Sequence, residues 1–220
     1  MTKVAIIDYG SGNLKSVYNA VKRCEESQSN IKSVEVTDSS AVISSASHII
    51  LPGVGSFKSC LDGFYSKKNL YESLVENVIA NGKPFLGICV GMQMLCSRGT
   101  ENGDHRGFGW FDGVVEKMSI DTSEFKIPHM GWNELLIEKT HPVLENLNLS
   151  TQSSLNAYFV HSYVCRLNNH DHEILSTNYG KKFTSMIAKK NILGTQFHPE
   201  KSHKFGLSFL QSFFKWQGNI

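Results

Sequence analysis

The first half of the chain alternates between two patterns of apolar residues. Short apolar runs are separated by longer segments in which apolar side chains recur at every third or fourth position. The first pattern is typical of buried strands and the second of amphipathic helices. It predicts helices over Leu14–Glu26 and residues 69–80, the latter with Asn69 as N-cap, Ile79 inward and Gly82 at its end. The predicted strands cover residues 3–8, 34–37, 48–51 and 85–88.

The second half is richer in strand patterns. Predicted strands cover residues 113–118, 133–138, 157–165, 173–178, 184–189 and 192–197, and a closing helix covers residues 203–216. Strands that alternate with helices indicate a mainly parallel sheet. We therefore predict an α/β fold: a doubly wound, mainly parallel sheet with flanking helices and extra antiparallel strands in the second half. At 220 residues and 40% hydrophobic content, the chain is expected to form one domain over residues 1–220.

Composition narrows the class of protein without identifying a chemistry. The net charge of +2 gives no general attraction to nucleic acid, a membrane surface or acidic substrates. No leader peptide is recognisable after Met1, and no stretch approaches the roughly 20 apolar residues that a membrane helix needs. The five cysteines are odd in number and widely spaced, which is typical of reduced thiols. We expect a cytoplasmic protein.

The residues around Cys89 carry the clearest chemical signal. An apolar run leads into Gly87-Ile88-Cys89-Val90-Gly91, and residues 90–96 continue with helical spacing. This is the sulfur version of the G-x-S-x-G nucleophile elbow, in which a strand turns sharply into a helix. Glycine is expected on both sides because a side chain there would collide with the neighbouring strand and helix. The N-terminus of the following helix favours a cysteine thiolate over the thiol.

A thiolate nucleophile needs a base and a third group that orients the base. His198 and Glu200 follow the predicted strand over residues 192–197, and Pro199 stops that strand. Strand ends are a usual place for catalytic groups in open α/β sheets. A lone cysteine is more often a buried apolar side chain, and His-Pro-Glu alone is often only a strand end. Both together, in the order nucleophile, base and acid, predict a catalytic triad of Cys89, His198 and Glu200.

The residues after the predicted strand 48–51 are candidates for an oxyanion hole. Acyl transfer needs backbone N–H groups near the nucleophile, one of them from the residue that follows it. Their places in the chain point to the amides of Val54 and Val90. Glycine at positions 53 and 55 would let the peptide between them rotate between two states. A simple turn from strand to loop is the alternative interpretation.

Two further patterns are weaker. Gly10-Ser11-Gly12 lies at a strand-to-helix turn, as dinucleotide-binding glycines do, but Lys15 occupies the place of the third glycine. His170-Asp171-His172 could chelate a metal ion, but it lies in a polar loop with no further ligand nearby in the sequence. We therefore predict neither a metal site nor a cofactor.

Several blocks of sequence carry a family resemblance. Gly-Ile-Cys-Val-Gly-Met-Gln at 87–93 and Gln-Phe-His-Pro-Glu at 196–200 resemble the class I (triad) glutamine amidotransferases, which hydrolyse glutamine to glutamate and ammonia. The blocks at 8–13, 51–57, 128–133, 158–163 and 198–202 are similar to the glutaminase subunits of imidazole glycerol phosphate synthases. The matches run from about residue 4 to about residue 206, and the His-Met-Gly-Trp-Asn block is the most specific.

The resemblance implies a substrate, a partner and further site residues. Glutamine would be hydrolysed, and its ammonia would pass to a (β/α)8-barrel cyclase subunit in a heterodimer that serves histidine biosynthesis. Residues implied to bind substrate are Gly53, Gly55, Gln93, Glu101, Tyr158, His161 and Ser162. Residues implied to face the partner are Ser11, Gly12, Asn13, His129, Met130, Gly131, Trp132 and Asn133.

Three alternatives to this function stay open. Residues 200–206 and 107–110 look similar to a paralogous branch that supplies ammonia to enzymes amidating surface-polysaccharide sugars. A cysteine peptidase or acyl hydrolase could use the same elbow, although Gln93 and the block at 129–133 argue against it. A catalytically silent interaction subunit is a third class, which the intact triad disfavours.

Overall fold

The computed structural model describes residues 2–26, 31–145, 147 and 155–219. In the first half, strands and helices alternate along the chain, as the apolar spacing predicts. The elements are β1 (Thr2–Ile7), α1 (Leu14–Glu26), β2 (Ile31–Thr37), α2 (Ser40–Ser45), β3 (His48–Gly53), α3 (Phe57–Tyr65), α4 (Leu70–Leu74), β4 (Phe85–Cys89) and α5 (Val90–Gln93).

The second half consists mainly of strands and ends in a helix. Its elements are β5 (Cys96–Gly99), β6 (His105–Arg106), β7 (Phe111–Lys117), β8 (His129–Glu134), β9 (Leu136–Ile137), α6 (Pro142–Glu145), β10 (Asn156–His161), β11 (Tyr163–Leu167), β12 (Glu173–Tyr179), β13 (Lys181–Lys189), β14 (Ile192–Thr195) and α7 (His203–Lys215).

An eight-stranded sheet forms the centre of the fold, in the order β2-β1-β3-β4-β14-β13-β12-β9. Neighbours from β2 to β14 run parallel, and neighbours from β14 to β9 run antiparallel. The predicted α/β fold with an antiparallel extension in the second half is thus confirmed. Two smaller sheets have the orders β10-β8 and β11-β7-β5-β6. The carboxyl ends of β3, β4 and β14 meet at one sheet edge, where ligands bind in open α/β folds.

The first and last helices pack together and bury the faces that their apolar residues define. In α1 the buried side chains are Val17, Ala20, Val21 and Cys24, and in α7 they include Phe205, Phe209, Leu210, Phe213 and Phe214. Burial of each valine, leucine or phenylalanine side chain among them contributes about 1.5–3 kcal/mol. In the described part of the chain, no helix combines the length and the hydropathy needed to cross a membrane.

The second predicted helix consists of two kinds of turn. Leu70–Leu74 is α-helical, and Val75–Ala80 continues as a π-helix. A π turn changes which side chains share a face, so Ile79 is 49% exposed and the prediction that it points inward is wrong. Asn69 does occupy the N-cap position, but its backbone is left-handed and its side chain makes no capping hydrogen bond. Gly82 follows the helix with φ 66°.

Three helices differ from the expectation in presence or length. The apolar spacing did not predict α2, which has Ile43 as its one buried side chain. It also did not predict α3, which begins where the Ser56 side chain accepts a hydrogen bond from Ser59 N at 3.2 Å. The helix expected over residues 90–96 is the single turn α5, and Cys96 already begins β5.

Two predicted strands are each divided between sheets. The strand predicted over residues 157–165 breaks at Ser162, because β10 pairs with β8 while β11 pairs with β7. The strand predicted over residues 133–138 breaks at the buried Leu135, so that β8 and β9 belong to different sheets. The apolar alternation continues across both breaks, so it carries no sign of the change of sheet.

Candidate active site

Cys89 ends β4 at the sheet edge, in a strained backbone conformation. Its φ of 54° and ψ of −111° are of the kind that cost a non-glycine residue about 1–3 kcal/mol. A Cβ atom on Gly91 would lie 2.0 Å from the Leu51 carbonyl oxygen, and one on Gly87 would lie 2.7 Å from the Gly91 carbonyl oxygen. Close backbone approach therefore requires both glycines, as the elbow pattern predicts. Because α5 is a single turn, its dipole contributes little.

His198 and Glu200 follow β14 and form a buried pair. His198 Nδ1 lies 2.8 Å from Glu200 Oε1, and each side chain is 1% exposed. Burial lowers the pKa of His198, but the charge of Cys89 and then the hydrogen bond and charge of Glu200 raise it to about 10 overall. Among the described residues, Nε2 of His198 has no partner at hydrogen-bonding geometry, so the influence of Cys89 is mainly one of charge. The arrangement favours an imidazolium beside a thiolate.

The backbone of His198 is held by Tyr158 and Ser202. His198 N donates to the Tyr158 carbonyl oxygen at 2.9 Å. The Ser202 hydroxyl donates to the His198 carbonyl oxygen at 2.6 Å and accepts from Tyr158 N at 3.0 Å. Both backbone groups of the histidine are thus tied to β10, and Ser202, for which the sequence predicted no role, is fully buried between them.

A cavity of about 270 Å³ lies beside Cys89 and His198. Residues of the implied substrate-binding set that line it are Gly55, Gln93, Glu101, His161 and Ser162. The sequence predicted no role for three others: Val160 and Tyr163, which flank the break between β10 and β11, and Pro128, which precedes β8.

Gly53 and Tyr158 lie outside the cavity lining, although the resemblance implies that they bind substrate. A Cβ atom on Gly53 would lie 2.5 Å from Gly91 N, so the glycine allows β3 to approach the elbow. Tyr158 supports the backbone of His198 instead. Gly53 and Tyr158 therefore position the elbow and His198, and neither lines the cavity in this structure.

The polar side chains of the cavity wall are held by hydrogen bonds. Gln93 Nε2 donates to the Tyr163 carbonyl oxygen and to Gln196 Oε1, each at 3.0 Å. Glu101 Oε2 accepts from Phe57 N at 2.7 Å, at the start of α3. These bonds fix the directions of the remaining polar atoms, which is the preorganisation that a binding site for a polar substrate needs.

His161 and His129 form a buried pair behind the cavity wall. His161 Nδ1 lies 3.0 Å from the Tyr163 carbonyl oxygen, and His161 Nε2 lies 3.1 Å from His129 Nδ1. The His129 ring stacks on Phe159 and Tyr179, with centroids 4.8 Å and 4.0 Å away. Burial lowers the pKa of His161 to about 3 and that of His129 to about 4, so both rings are neutral at physiological pH.

The β8 residues that the resemblance implies to face a partner do not all lie at the surface. His129 is 2% exposed and packs inward, whereas Met130 and Trp132 are 63% and 47% exposed. The Trp132 ring stacks on His203 at 4.9 Å with an interplanar angle of 2°. Asn133 Nδ2 donates to the Asn178 carbonyl oxygen at 2.9 Å. The imidazole of His129 is therefore unavailable at the surface of this chain, while its neighbours offer an apolar patch.

The loop after β3 contacts the loop after β1. Val54 and Val90 both line the cavity, and Gly55 has φ 109°. The Ser11 hydroxyl donates to the Val54 carbonyl oxygen at 2.5 Å, and Cys60 Sγ lies 3.5 Å from the same oxygen. Ser11, with Gly12 and Asn13, belongs to the loop implied to face the partner, and all three residues are partly buried.

The residues considered for metal binding are engaged elsewhere. Asp171 Oδ1 pairs with Lys139 Nζ at 2.6 Å, and His170 Nδ1 lies 3.3 Å from Glu173 Oε2. Over the ranges that the structure describes, no group of three or more His, Cys, Asp or Glu side chains could hold a metal ion.

Comparison with known proteins adds a family match and relatives of similar length. The family model of glutamine amidotransferase class-I matches residues 5–216. The imidazole glycerol phosphate synthase subunit HisH of Agrobacterium fabrum is 40% identical over 215 residues, which cover 98% of this chain and 99% of that protein. The protein of the same name from Rhodopseudomonas palustris is 42% identical over 214 residues, which cover 97% and 99%.

Solved structures resemble the chain in fold. A crystal structure of a glutamine amidotransferase has a TM-score of 0.69 and 16% identity, with 96% of this chain and 98% of that chain covered. A glutamine amidotransferase from Thermotoga maritima has a TM-score of 0.57 and 14% identity, with 96% and 82% covered. At these identities the likeness concerns the fold alone.

Proposed function

Because the chain belongs to the class-I glutamine amidotransferase family, we propose that it is the glutaminase subunit of an imidazole glycerol phosphate synthase. It is an enzyme that hydrolyses glutamine. Support for the subunit assignment comes from relatives with that name, about 40% identical over 99% of their own length. The subunit would work as a single domain in the cytoplasm and serve histidine biosynthesis.

The observation that carries the proposed mechanism is the placement of Cys89 and His198 on the wall of one cavity, with Glu200 bonded to His198. In the first half-reaction, the Cys89 thiolate attacks the side-chain amide carbon of glutamine, and a C–S bond forms. The amides of Val54 and Val90 stabilise the oxyanion. The C–N bond then breaks, the nitrogen takes a proton from His198, and ammonia leaves behind a γ-glutamyl thioester.

In the second half-reaction, His198 removes a proton from a water molecule that attacks the thioester carbon. The C–S bond breaks, glutamate leaves, and the electron pair returns to Cys89 as thiolate. Glu200 keeps the imidazole oriented and stabilises its charged form in both halves. The 2.8 Å contact between Nδ1 and Oε1 supports this role.

The substrate would be held by the polar wall of the cavity. Gln93, His161 and Ser162 are suited to the α-amino and carboxylate groups of glutamine, and Glu101 offers a negative charge to the α-ammonium. Both N–H groups of Gln93 are already donated within the protein, so its carbonyl oxygen would be the group that contacts substrate. Gly55 would shape the loop after β3, which carries the Val54 amide of the proposed oxyanion hole.

Ammonia would pass to a (β/α)8-barrel cyclase subunit bound in a heterodimer. The partner would dock on the loop of Ser11, Gly12 and Asn13 and on the exposed side of β8 around Met130 and Trp132. The alternative acceptor, an enzyme that amidates surface-polysaccharide sugars, would use the same glutaminase chemistry. Only the partner distinguishes these two functions.

The test of the proposed function is the variant Cys89→Ala in complex with the cyclase. Glutamine hydrolysis and glutamine-dependent synthesis should be abolished, because the nucleophile is missing. Synthesis with added ammonium salt should persist, because the partner only consumes ammonia. Cys24→Ala, which changes a buried cysteine in α1, is the matched control and should retain hydrolysis.

Two outcomes would contradict the proposal at different points. Hydrolysis by Cys89→Ala near the parent rate would show that another residue is the nucleophile. Stimulation by a sugar-amidating synthase but not by the histidine-pathway cyclase would leave the glutaminase intact and change the acceptor.

A further inference from the structure

Gln196 lies beside the nucleophile because of the register between two parallel strands. Thr195 of β14 is opposite Ile88 of β4, so the next residues along each strand, Gln196 and Cys89, are neighbours. The Gln196 side chain is fully buried, and its Nε2 lies 3.7 Å from Cys89 Sγ, within the range of a hydrogen bond to sulfur. A buried amide group is costly unless its polar atoms find partners.

The direction of this hydrogen bond is fixed by a backbone carbonyl group. The Tyr163 carbonyl oxygen can only accept, so the Gln93 atom that faces it at 3.0 Å must be the donor Nε2. The same Nε2 donates its second hydrogen to Gln196 Oε1 at 3.0 Å. The atom of Gln196 left to face Cys89 is therefore its NH2 group, and a flipped amide would place two donors against each other.

A donor at this place acts on the charge of the sulfur. A thiolate accepts hydrogen bonds readily, and a hydrogen bond to the charged form of a group favours that form. His198, which follows the same strand as Gln196, supplies positive charge, but its Nε2 has no hydrogen-bond partner among the described residues. The amide of Gln196 is thus the side-chain donor that the structure brings to the sulfur.

We propose that Gln196 is a further catalytic residue, whose side-chain amide donates a hydrogen bond to Cys89 Sγ and stabilises the thiolate. The bond would act before attack on glutamine and again when the C–S bond of the thioester breaks and the electron pair returns to sulfur. This inference rests on the proposed role of Cys89 as nucleophile. Gln93 is the positioning residue that turns the amide toward the sulfur.

A purely structural role for Gln196 makes a different prediction. If its only task were to accept from Gln93, its loss would disturb the cavity wall and raise KM, while the ionisation of Cys89 would be unchanged. If Gln196 instead acts on the sulfur, its loss lowers kcat and raises the pH at which the thiolate forms. Alkylation of Cys89 as a function of pH separates these cases without any need for glutamine turnover.

The test compares Gln196→Met with Gln93→Met in the full chain, with alkylation measured on the chain alone and kcat and KM measured on its complex with the cyclase. Methionine has nearly the length of glutamine but no donor. In Gln196→Met, the midpoint of the pH profile for alkylation of Cys89 by iodoacetamide, followed by peptide mass spectrometry, should rise by about one pH unit, equal to about 1.4 kcal/mol. At neutral pH, kcat should fall about 10-fold. In Gln93→Met, KM should rise because the cavity wall loses a polar group, and the midpoint should rise by a smaller amount because the Gln196 amide is no longer held in one orientation.

The control for the substitution itself is Gln217→Met, at an exposed glutamine near the C-terminus, which should match the parent chain. If Gln196→Met does not fold, Gln196→Asn shortens the amide beyond reach of the sulfur and should give the same rise. An unchanged alkylation midpoint in a folded Gln196 variant would overturn the inference. If the parent chain in complex with the cyclase failed to hydrolyse glutamine, the proposed function would be refuted instead, and the alkylation comparison would still decide whether Gln196 acts on the sulfur.

Discussion

The substitution Glu200→Gln removes a charge from the triad while keeping the shape of the side chain. In the parent chain, His198 Nδ1 and Glu200 Oε1 are 2.8 Å apart and both side chains are 1% exposed, so solvent does not weaken the interaction. A hydrogen bond to a charged group contributes about 1.5–3 kcal/mol. With about 1.4 kcal/mol for each factor of ten in rate, kcat/KM should fall about 10- to 100-fold.

The loss should be smaller than that caused by removing the base. A glutamine at position 200 can still accept from Nδ1 through its carbonyl oxygen, so His198 keeps its orientation. His198→Ala leaves a thiolate with no group to protonate the departing ammonia, and its loss should match that of Cys89→Ala, at least about 10⁴-fold. Glutamate release by the complex with the cyclase measures both variants.

The same substitution should change the pH dependence in a defined direction. Burial lowers the pKa of His198, and Cys89 and Glu200 raise it to about 10 overall. Because Glu200 favours the charged imidazole, its loss lowers the pH at which His198 gives up its proton. The alkaline limb of the activity profile should therefore move to lower pH in Glu200→Gln.

The matched control is Glu116→Gln, where the carboxylate pairs with Arg166 on the surface. Exposed pairs of this kind contribute little, about 0–1 kcal/mol, so activity and its pH profile should not change. Equal and complete loss in folded Glu200→Gln and His198→Ala would refute the reasoning, as would an alkaline limb that moves upward.

Other expected outcomes follow from the elbow and from the loop beside it. Gly91→Ala should destabilise the fold by at least about 3 kcal/mol, because its Cβ would lie 2.0 Å from the Leu51 carbonyl oxygen. Gly109→Ala should cost about 1 kcal/mol, since φ is 70° but, in the described residues, the space around that Cβ is open. Thermal unfolding compares the two, and similar melting temperatures would contradict the steric argument. The chain alone should be a poor glutaminase that the cyclase with bound acceptor activates, and full activity without the partner would rule out such control. Ser11→Ala, which removes the shorter of two hydrogen bonds to the Val54 carbonyl oxygen, should raise the activity of the chain alone several-fold, and an unchanged or lower rate would argue against this contact as a restraint.

The sequence predicted best those elements whose pattern has a single physical cause. The helix Leu14–Glu26 has the predicted bounds, because its apolar face is buried in the core of this chain along its whole length. Ile79 was placed on the wrong side because a π turn depends on backbone hydrogen bonds that apolar spacing does not encode. The breaks at Ser162 and Leu135 are changes of sheet, and side-chain alternation is the same on either side of them.

The candidate site likewise contains some residues whose placement the sequence predicts and others whose placement it does not. Motif spacing predicted the three residues that meet beside the cavity, since strand ends gather at one sheet edge. The placement of His129 inside the fold follows from strand alternation in β8, which the block resemblance overlooked. Gln196 lies within the Gln-Phe-His-Pro-Glu motif, but the motif predicts no role for it, because the orientation of its amide depends on the carbonyl group of Tyr163. A backbone carbonyl group carries no sequence signal.

The break at Ser162 means that the proposed catalytic residues and part of the cavity wall facing them are carried by different sheets. Cys89 and His198 are anchored on the eight-stranded sheet, whereas His161 ends the small β10-β8 ribbon and Tyr163 begins a strand of the third sheet. Tyr158 of β10 also holds both backbone groups of His198, one directly and one through Ser202. Pressure on the exposed side of β8 would therefore move His198 together with the substrate half of the cavity, so that substrate fit and the position of the proposed base change together when the small sheet shifts against the large one.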